Sequence, residues 1–117
     1  MSGNFRIAVL DEIDATACPC GLARRAFADL PGGPASVHLV EVRADAAVHY
    51  HTSHTEIYVV LECADHAAVE LDGERHVVRR MTALLIPPGV RHRALGRMKI
   101  LNVVIPPYDA ADEHVDT

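Results

Sequence analysis

The stretch "AAVELDGERHVVR" (67–79) decides the fold class of this chain. Two short runs, "AAVEL" (67–71) and "ERHVVR" (74–79), flank the dipeptide Asp72–Gly73. An Asp-Gly pair between such runs is typical of a tight β-hairpin, because its two turn positions need positive φ angles. The stretch therefore predicts two antiparallel strands joined by a two-residue turn.

Outward from this hairpin, further short extended runs alternate with turn residues. "PPG" (87–89) separates two of the runs and "PP" (106–107) follows the last of them. Strands at this short, regular spacing predict an all-β sandwich or barrel. The predicted strands are 5–10, 36–42, 46–51, 56–62, 82–86, 90–95 and 98–105, besides the two of the hairpin.

The two ends of the chain follow different patterns. In "GLARRAFADL" (21–30), Ala23, Phe27 and Leu30 recur at helical spacing, so we predict one short N-terminal helix, which "PGGP" (31–34) ends. The acidic end "YDAADEHVDT" (108–117) predicts a loosely ordered tail. We expect a single domain with three parts. An N-terminal strand and helix form 1–35, the barrel forms 36–105, and a C-terminal tail forms 106–117.

Composition narrows the function classes. The chain has 117 residues, half of them hydrophobic, which suits one domain with a real core. The net charge is −5 and the basic residues are scattered, so we expect no nucleic-acid partner. No apolar run approaches the roughly 20 residues of a membrane span, and the N-terminus lacks the pattern of a signal peptide. With three cysteines, an odd number, we predict a cytoplasmic protein with reduced thiols.

The stretch "HYHTSHTE" (49–56) carries the chemistry that points to function. In a strand, side chains alternate between faces, so His49 and His51 share one face. "TSHT" (52–55) suits a hairpin connection, and Glu56 then opens the next strand beside His51. In this interpretation His54 sits in the turn and points away. A helix would instead align His51 with His54 or Thr55, but the flanking runs favour strands.

A fourth candidate is His92, which follows the Pro-Gly turn in "IPPGVRH" (86–92). A hairpin in a small barrel could return it to the cluster. Three imidazoles and one carboxylate suit one divalent transition metal and leave coordination positions for water or substrate. The set does not choose among Zn, Mn, Fe, Ni and Cu. With eight histidines in the chain, the competing interpretation is that His-x-His is a chance pair of surface side chains.

Other candidate residues carry alternatives of their own. Tyr58 shares a strand face with Glu56 and could line a substrate pocket, as could His76 and His38. Each could instead be an ordinary polar residue of the barrel. "CPCG" (18–21) could bind a soft metal or act in redox chemistry, or be a turn with two reduced thiols. The thiol of Cys63 could oxidise if it were exposed, but we interpret this residue as a small buried hydrophobe.

Together these residues resemble the cupin superfamily. Its first motif is G-x5-H-x-H-x(3,4)-E-x6-G, matched by His49, His51 and Glu56. Its second is G-x5-P-x-G-x2-H-x3-N, matched by Pro87, Gly89 and His92. "HYHTSHTEIYVVLE" and "LLIPPGVRHRALG" look especially like small single-domain bacterial cupins. The resemblance covers roughly 36–105 and implies a double-stranded β-helix, or jelly roll, with the metal inside near one open end.

The chain departs from the two motifs at four positions. Arg43, Cys63 and Met81 stand where the motifs have glycine, and Gly96 stands where they have asparagine. None of these is a ligand position, so we expect the departures to affect turn geometry and pocket shape more than metal binding. A missing glycine matters only where the backbone needs positive φ.

The resemblance implies two classes of function. The first is a small metal-dependent enzyme of isomerase, dioxygenase or decarboxylase type that acts on a compact polar molecule. The alternative is a non-catalytic binding or sensing module, although such cupins often lack ligands that this chain keeps. A third interpretation is a purely structural barrel. Small cupins commonly dimerise and thereby cover a sheet edge, so we expect a homodimer.

Overall fold

The computed structural model describes residues 5–30 and 32–116, and strands dominate it. Two short 3-10 turns, Leu10–Glu12 and Ala110–Asp112, are its helical elements. The strands are β1 (Thr16–Cys18), β2 (Gly21–Ala26), β3 (Ser36–Val42), β4 (His49–Tyr50), β5 (Thr55–Cys63), β6 (Ala68–Leu71), β7 (Glu74–Val77), β8 (Ala83–Ile86), β9 (His92–Leu95), β10 (Met98–Ile105) and β11 (His114–Val115).

The strands form two antiparallel sheets. The larger sheet has the order β1-β2-β3-β10-β5-β8, and the smaller has the order β11-β4-β9-β6-β7. Alternate residues of each long strand point into the space between the sheets. On β10 these inward residues are Met98, Ile100, Asn102 and Val104, all buried. The core is apolar at one end, and polar inward residues collect at the other.

The apolar end of the core holds the barrel together. Val60, Val69, Ile86 and Ile100 are essentially inaccessible to water and belong to one packed cluster. Burying side chains of this size stabilises a fold by about 1.5–3 kcal/mol each. This end therefore provides a rigid base for the polar end.

The all-β prediction is confirmed, including its central hairpin. β6 and β7 pair across Asp72 and Gly73, whose φ angles of 49° and 83° are both positive, as the Asp-Gly signal requires. The strands predicted at 36–42 and 98–105 have the predicted bounds. No helix in residues 5–30 or 32–116 is both long and apolar enough to cross a membrane.

The prediction of a helix over 21–30 is wrong. Gly21–Ala26 is strand β2, which pairs with β1 on one side and β3 on the other. Pairing with β3 overrides the weak helical spacing of three apolar residues, since sheet contacts outweigh local propensity. The strand predicted at 5–10 is also wrong: 5–9 has no assigned strand and leads into the turn Leu10–Glu12.

The expectation of a loosely ordered C-terminal end is wrong for residues 108–116. β11 pairs with β4 and so forms one edge of the smaller sheet. Asp112 is buried, and its carboxylate accepts hydrogen bonds from the backbone N–H groups of Thr52 and Ser53, both at 2.8 Å, and from the Thr52 hydroxyl. It also contacts Nδ1 of His54 at 2.6 Å. The acidic residues that suggested disorder include the one that anchors this segment.

The expectation of reduced thiols fails for the "CPCG" stretch. Cys18 and Cys20 form a disulfide, while Cys63 is free. The tight turn between β1 and β2 brings the two Cα atoms to 5.1 Å, which is within the range that a disulfide spans. The bond closes the outer hairpin of the larger sheet.

One motif departure has a backbone consequence. Met81 has a φ of 71°, in the left-handed region that favours glycine, and its side chain is 60% exposed. Its backbone N–H donates to the Val60 carbonyl, so the tight turn is kept. Methionine therefore adopts a conformation that costs roughly 1–2 kcal/mol for a residue with a Cβ.

We predict that Met81→Gly raises the free energy of unfolding by up to about 1 kcal/mol, because relief of the left-handed strain exceeds the added entropy of the unfolded chain. Urea denaturation measures this change. The neighbouring exposed residue Arg80, which does not have positive φ, is the control, and Arg80→Gly should destabilise the protein. If both glycine variants lose stability equally, the strain at Met81 is negligible.

We predict that Asp112→Asn lowers the free energy of unfolding by about 2–4 kcal/mol at neutral pH, because buried donors lose a charged acceptor. Burial opposes ionisation of Asp112, but bonds from Thr52 and His54 lower its pKa far below the ordinary value. Its stabilising effect is therefore complete above about pH 4 and is lost as pH falls towards the folded-state pKa. Denaturation of both proteins across this range should show the difference shrinking below pH 4.

Candidate metal centre

His49 and His92 face each other on neighbouring strands at the polar end of the barrel. They are direct register partners on β4 and β9, and their ring centroids lie 4.2 Å apart. Both side chains are buried. The two halves of the sequence pattern therefore meet through one strand pair of the smaller sheet.

His51 and Glu56 complete the cluster from the end of β4 and the start of β5. Glu56 lies on the same inward face of β5 as Tyr58 and Val60. Its Oε1 lies 3.1 Å from Nε2 of His51 and 2.9 Å from Nε2 of His92. One possible ligand atom from each of the four side chains lies within 4.8 Å of the others, which is compact enough for a single ion.

All three imidazoles are oriented in the same way. Nδ1 of His49 lies 3.0 Å from the Ala47 carbonyl oxygen, and Nδ1 of His92 lies 2.9 Å from that of Val90. Nδ1 of His51 lies 2.8 Å from the Asp112 carbonyl. A carbonyl only accepts, so each Nδ1 carries a proton and donates it. In the neutral rings this leaves Nε2 with a free lone pair, the arrangement found in metal-binding histidines.

The atoms that face the centre of the cluster lack hydrogen-bond partners in the described part of the chain. They are Nε2 of His51, Nε2 of His92 and Oε1 of Glu56, all buried. They approach one another closely but without the geometry of a hydrogen bond. Buried polar atoms are almost always bonded, so three orphans around one point need an explanation. A divalent cation bound among them accounts for all three, so the residues fit a metal ion.

His54 differs from the other three histidines. Its Nδ1 faces the Asp112 carboxylate and its Nε2 lies 3.0 Å from the Pro107 carbonyl. Both ring nitrogens are therefore occupied, and neither is free to bind a metal. His54 does point away from the cluster, but it is buried and ties the 51–55 loop to the C-terminal segment.

The protonation states of Glu56 and His49 favour cation binding, whereas a cation would have to displace a proton from His51. Burial opposes the charge on Glu56, but contacts with His51 and His92 outweigh it and lower the pKa of the carboxyl group well below its ordinary value. Burial, followed by the nearby His92 ring, lowers the pKa of His49. For His51 burial is outweighed by Glu56, and its pKa rises. The cluster thus holds an anionic carboxylate and a neutral His49, the forms that bind metal.

A polar wall lines the cavity of about 20 Å³ beside the cluster. Four residues on neighbouring strands of the larger sheet form this wall, and each is the direct register partner of the next. They are Arg25 on β2, His38 on β3, Asn102 on β10 and Tyr58 on β5. We call these four residues the polar row. All of them line the cavity.

The polar row is joined to the cluster and to the C-terminal segment. Asn102 donates from its side-chain nitrogen to Oε2 of Glu56 at 2.5 Å, which leaves Oε1 for the cluster. Nε2 of His38 lies 2.8 Å from the Ser36 hydroxyl, and this hydroxyl accepts from the Tyr108 backbone N–H at 2.9 Å. Burial, followed by the charge of Arg25, lowers the pKa of His38 to about 4. His38 is therefore neutral at pH 7.

The structure separates the three candidate pocket residues. Tyr58 and His38 line the cavity, whereas His76 lies on β7 with an exposed side chain and contacts Glu74 at 3.1 Å. β7 is an edge strand of the smaller sheet, and all four of its residues are exposed. Sequence reasoning missed Arg25, Asn102, Tyr108 and Glu113, which also line the cavity, and it singled out Cys20 without placing it there. Strand alternation through Ile100 and Val104 could have found Asn102; the others lie in segments interpreted as helix or tail.

Comparison with known families agrees with this geometry. A family model described as "Cupin domain" matches residues 36–104, which is more than half of the chain. This chain belongs to the cupin family. The matched part of this cupin contains the whole cluster, whereas Arg25, Tyr108 and Glu113 lie outside it.

Solved structures share the fold of this cupin along almost its whole length. A protein from Planctomyces limnophilus is 46% identical, with a TM-score of 0.91, and the alignment covers 96% of this chain and 97% of that one. The nucleoside dehydratase Pac13 from Streptomyces is 16% identical, with a TM-score of 0.79 and coverage of 97% and 92%. Ectoine synthase from P. lautus is also 16% identical, with a TM-score of 0.75 and coverage of 97% and 91%. The last two show a shared fold alone. No curated protein matched the chain.

We predict that His51→Ala weakens metal binding by more than about a hundredfold, since it removes a ligand, whereas His54→Ala changes it by less than about tenfold. His54→Ala should instead lower thermal stability, because it unties the 51–55 loop from Asp112. Metal titration and thermal melts of both variants separate the two effects. Equal metal loss in both would contradict the assignment of His51 as a ligand and His54 as an anchor.

Proposed function

We propose that His49, His51, Glu56 and His92 bind one divalent transition metal per chain, drawn from Zn, Mn, Fe, Ni and Cu. The observation that carries the proposal is the shared orientation of the three imidazoles, each held through Nδ1 by a backbone carbonyl. Three such rings and one carboxylate whose ligand atoms lie within 4.8 Å of one another form a donor set that suits these metals.

We infer further that the protein is a metal-dependent enzyme of isomerase, dioxygenase or decarboxylase type, acting on a compact polar small molecule. A bound divalent ion would supply a Lewis acid beside the cavity. A site that only stabilised the barrel would have no need of a cavity lined by polar side chains. The polar row supports an enzyme, because it places donors and acceptors opposite the cluster.

The chain's own residues have distinct roles in this proposal. Burial, followed by the charge of Glu56, raises the pKa of Tyr58 well above its ordinary value, so its hydroxyl stays protonated and can donate to a substrate oxygen. His38 is neutral and offers one ring nitrogen that donates and one that accepts. Asn102 holds Glu56 in place and acts as a positioning residue.

Other properties complete the proposal. Pac13 and ectoine synthase are enzymes on the same fold, which supports catalysis in a barrel of this size. We propose a cytoplasmic homodimer. The open edges of β7 and β8, which carry the exposed side chains of Val77 and Leu85, support self-association. Its partners would be its substrate and a second copy, without nucleic acid or membrane.

Elemental analysis of the purified, reconstituted protein should find about one divalent metal ion per chain. The matched control is His76→Ala, which removes an exposed histidine outside the cavity and should keep the metal. His92→Ala, which removes a cluster residue, should lose most of it. A wild-type protein that takes up no metal after reconstitution would end the proposal. Anomalous scattering from crystals would identify the ion and its ligands.

A substrate screen of the metal-loaded protein tests the catalytic part. Turnover should require both the metal and His92, and it should survive in His76→Ala. The screen should cover sugar derivatives, keto and enol acids, and aromatic diols. If ligands bind the loaded protein but none is converted, the protein is a binding module and the catalytic proposal is wrong.

A further inference from the structure

Arg25 stands at the outer end of the polar row. It lies on β2, directly beside His38 of β3, and its side chain lines the same cavity as the metal cluster. It belongs to the N-terminal hairpin and precedes residues 36–104, which carry the family's match.

The charge of Arg25 has no counter-ion within the described residues. Its Nε is buried and makes no hydrogen bond there. The chain's ion pairs in that range involve other basic residues, such as Arg91, Arg93 and Lys99. A partly buried guanidinium with a free donor is costly unless an anion completes it. The missing partner points to a ligand.

The guanidinium is held in a fixed position. Its Cζ lies 3.9 Å from the centroid of the Tyr108 ring, a distance suited to a cation–π contact. Tyr108 is fixed in turn by its backbone N–H bond to Ser36 and by edge-on packing of its ring against His38, with centroids 5.5 Å apart. A guanidinium stacked on an aromatic ring keeps its N–H edge free for planar recognition of a carboxylate.

The cavity has a direction. Arg25, Tyr108 and Glu113 are half-buried and form its mouth, while the cluster residues His49, His51 and Glu56 are buried at its floor. A ligand that enters therefore meets Arg25 first. Its inner end then faces the Tyr58 hydroxyl and the imidazoles of the cluster, which are hydrogen-bond donors and acceptors.

We propose that Arg25, stacked on Tyr108, binds the carboxylate of a small hydroxy- or keto-carboxylic acid whose uncharged oxygen points towards the metal cluster. This inference rests on the proposed function and specifies its substrate class. A single cation facing a planar anion matches a carboxylate, and Glu113 at the same mouth disfavours anions of higher charge, such as phosphate dianions. The enclosed part of the cavity, about 20 Å³, has room for one small group, so the hydroxyl or carbonyl group enters it and the carboxylate stays at the open mouth beside Arg25.

Binding of matched acids and amides tests the proposal. The probes are lactate, 3-hydroxybutyrate and 4-hydroxybutyrate, each with its neutral amide, titrated calorimetrically into the zinc-loaded protein. At least one acid should bind at millimolar concentration or tighter, and its amide should bind at least about tenfold more weakly, since a charge-assisted contact is lost. Arg25→Gln should weaken the acid by at least about tenfold and leave the amide within about twofold. Arg25→Lys should fall between wild type and Arg25→Gln.

Arg24→Gln is the matched control. Arg24 precedes Arg25 on β2, but its side chain bonds the carbonyls of Asp11 and Ile13, away from the cavity. This variant should bind the acid as wild type does. The proposal is overturned if no acid binds, if acid and amide bind equally, or if Arg25→Gln and Arg24→Gln weaken binding alike.

Metal content separates this inference from the proposed function. Arg25→Gln should keep one metal ion per chain, because Arg25 is not a ligand. If the wild-type protein takes up no metal, the proposed function fails, and acid binding to the metal-free protein should still depend on Arg25. If metal binds normally but acid binding ignores Arg25, the carboxylate subsite fails alone.

Discussion

Asp112 connects the C-terminal segment to the loop that carries the metal cluster. Its carboxylate bonds the backbone of Thr52 and Ser53, and its carbonyl accepts from His51. The same residue therefore fixes the loop and sets the orientation of one proposed ligand. A carboxylate buried with several donors is stable only when all of them are in place, so this connection forms cooperatively. Without it, the His51 ring would lose the carbonyl that orients it towards the other three cluster residues.

The hydrogen-bond partners of the ring nitrogens distinguish the histidines of the candidate metal cluster from His54. Each cluster ring donates from Nδ1 to a carbonyl and leaves Nε2 free, whereas both nitrogens of His54 are bonded. Leaving buried polar atoms unbonded costs the metal-free fold about 1–3 kcal/mol for each group. The apolar end of the barrel offsets this cost. A strained polar end on a stable base is typical of binding sites.

Local sequence patterns predicted the parts of the molecule that depend on local physics. Strand alternation, the Asp72–Gly73 turn and the His-x-His spacing each involve neighbouring residues, so the hairpin and the convergence of His49 with Glu56 could be anticipated. Arg25 and Asp112 could not, because their positions depend on pairing with distant strands. The helical spacing of 21–30 lost to pairing with β3, and the acidic tail gained order from one buried contact. Alternation also could not reveal that β7 is an exposed edge strand, which left His76 outside the cavity.

The polar row shows how strand register can set the size of a ligand. Four residues on adjacent strands span three inter-strand spacings of about 4.8 Å, or about 14 Å from the backbone of Arg25 to that of Tyr58. The arginine side chain reaches back over part of this distance, so the gap to the cluster is shorter than the row. Hydrogen bonding between strands fixes the row, and a ligand cannot alter it without breaking the sheet. The chain length of the acid that binds most tightly would therefore measure the gap between the guanidinium and the His/Glu cluster, which the pairing of β2 with β3 determines.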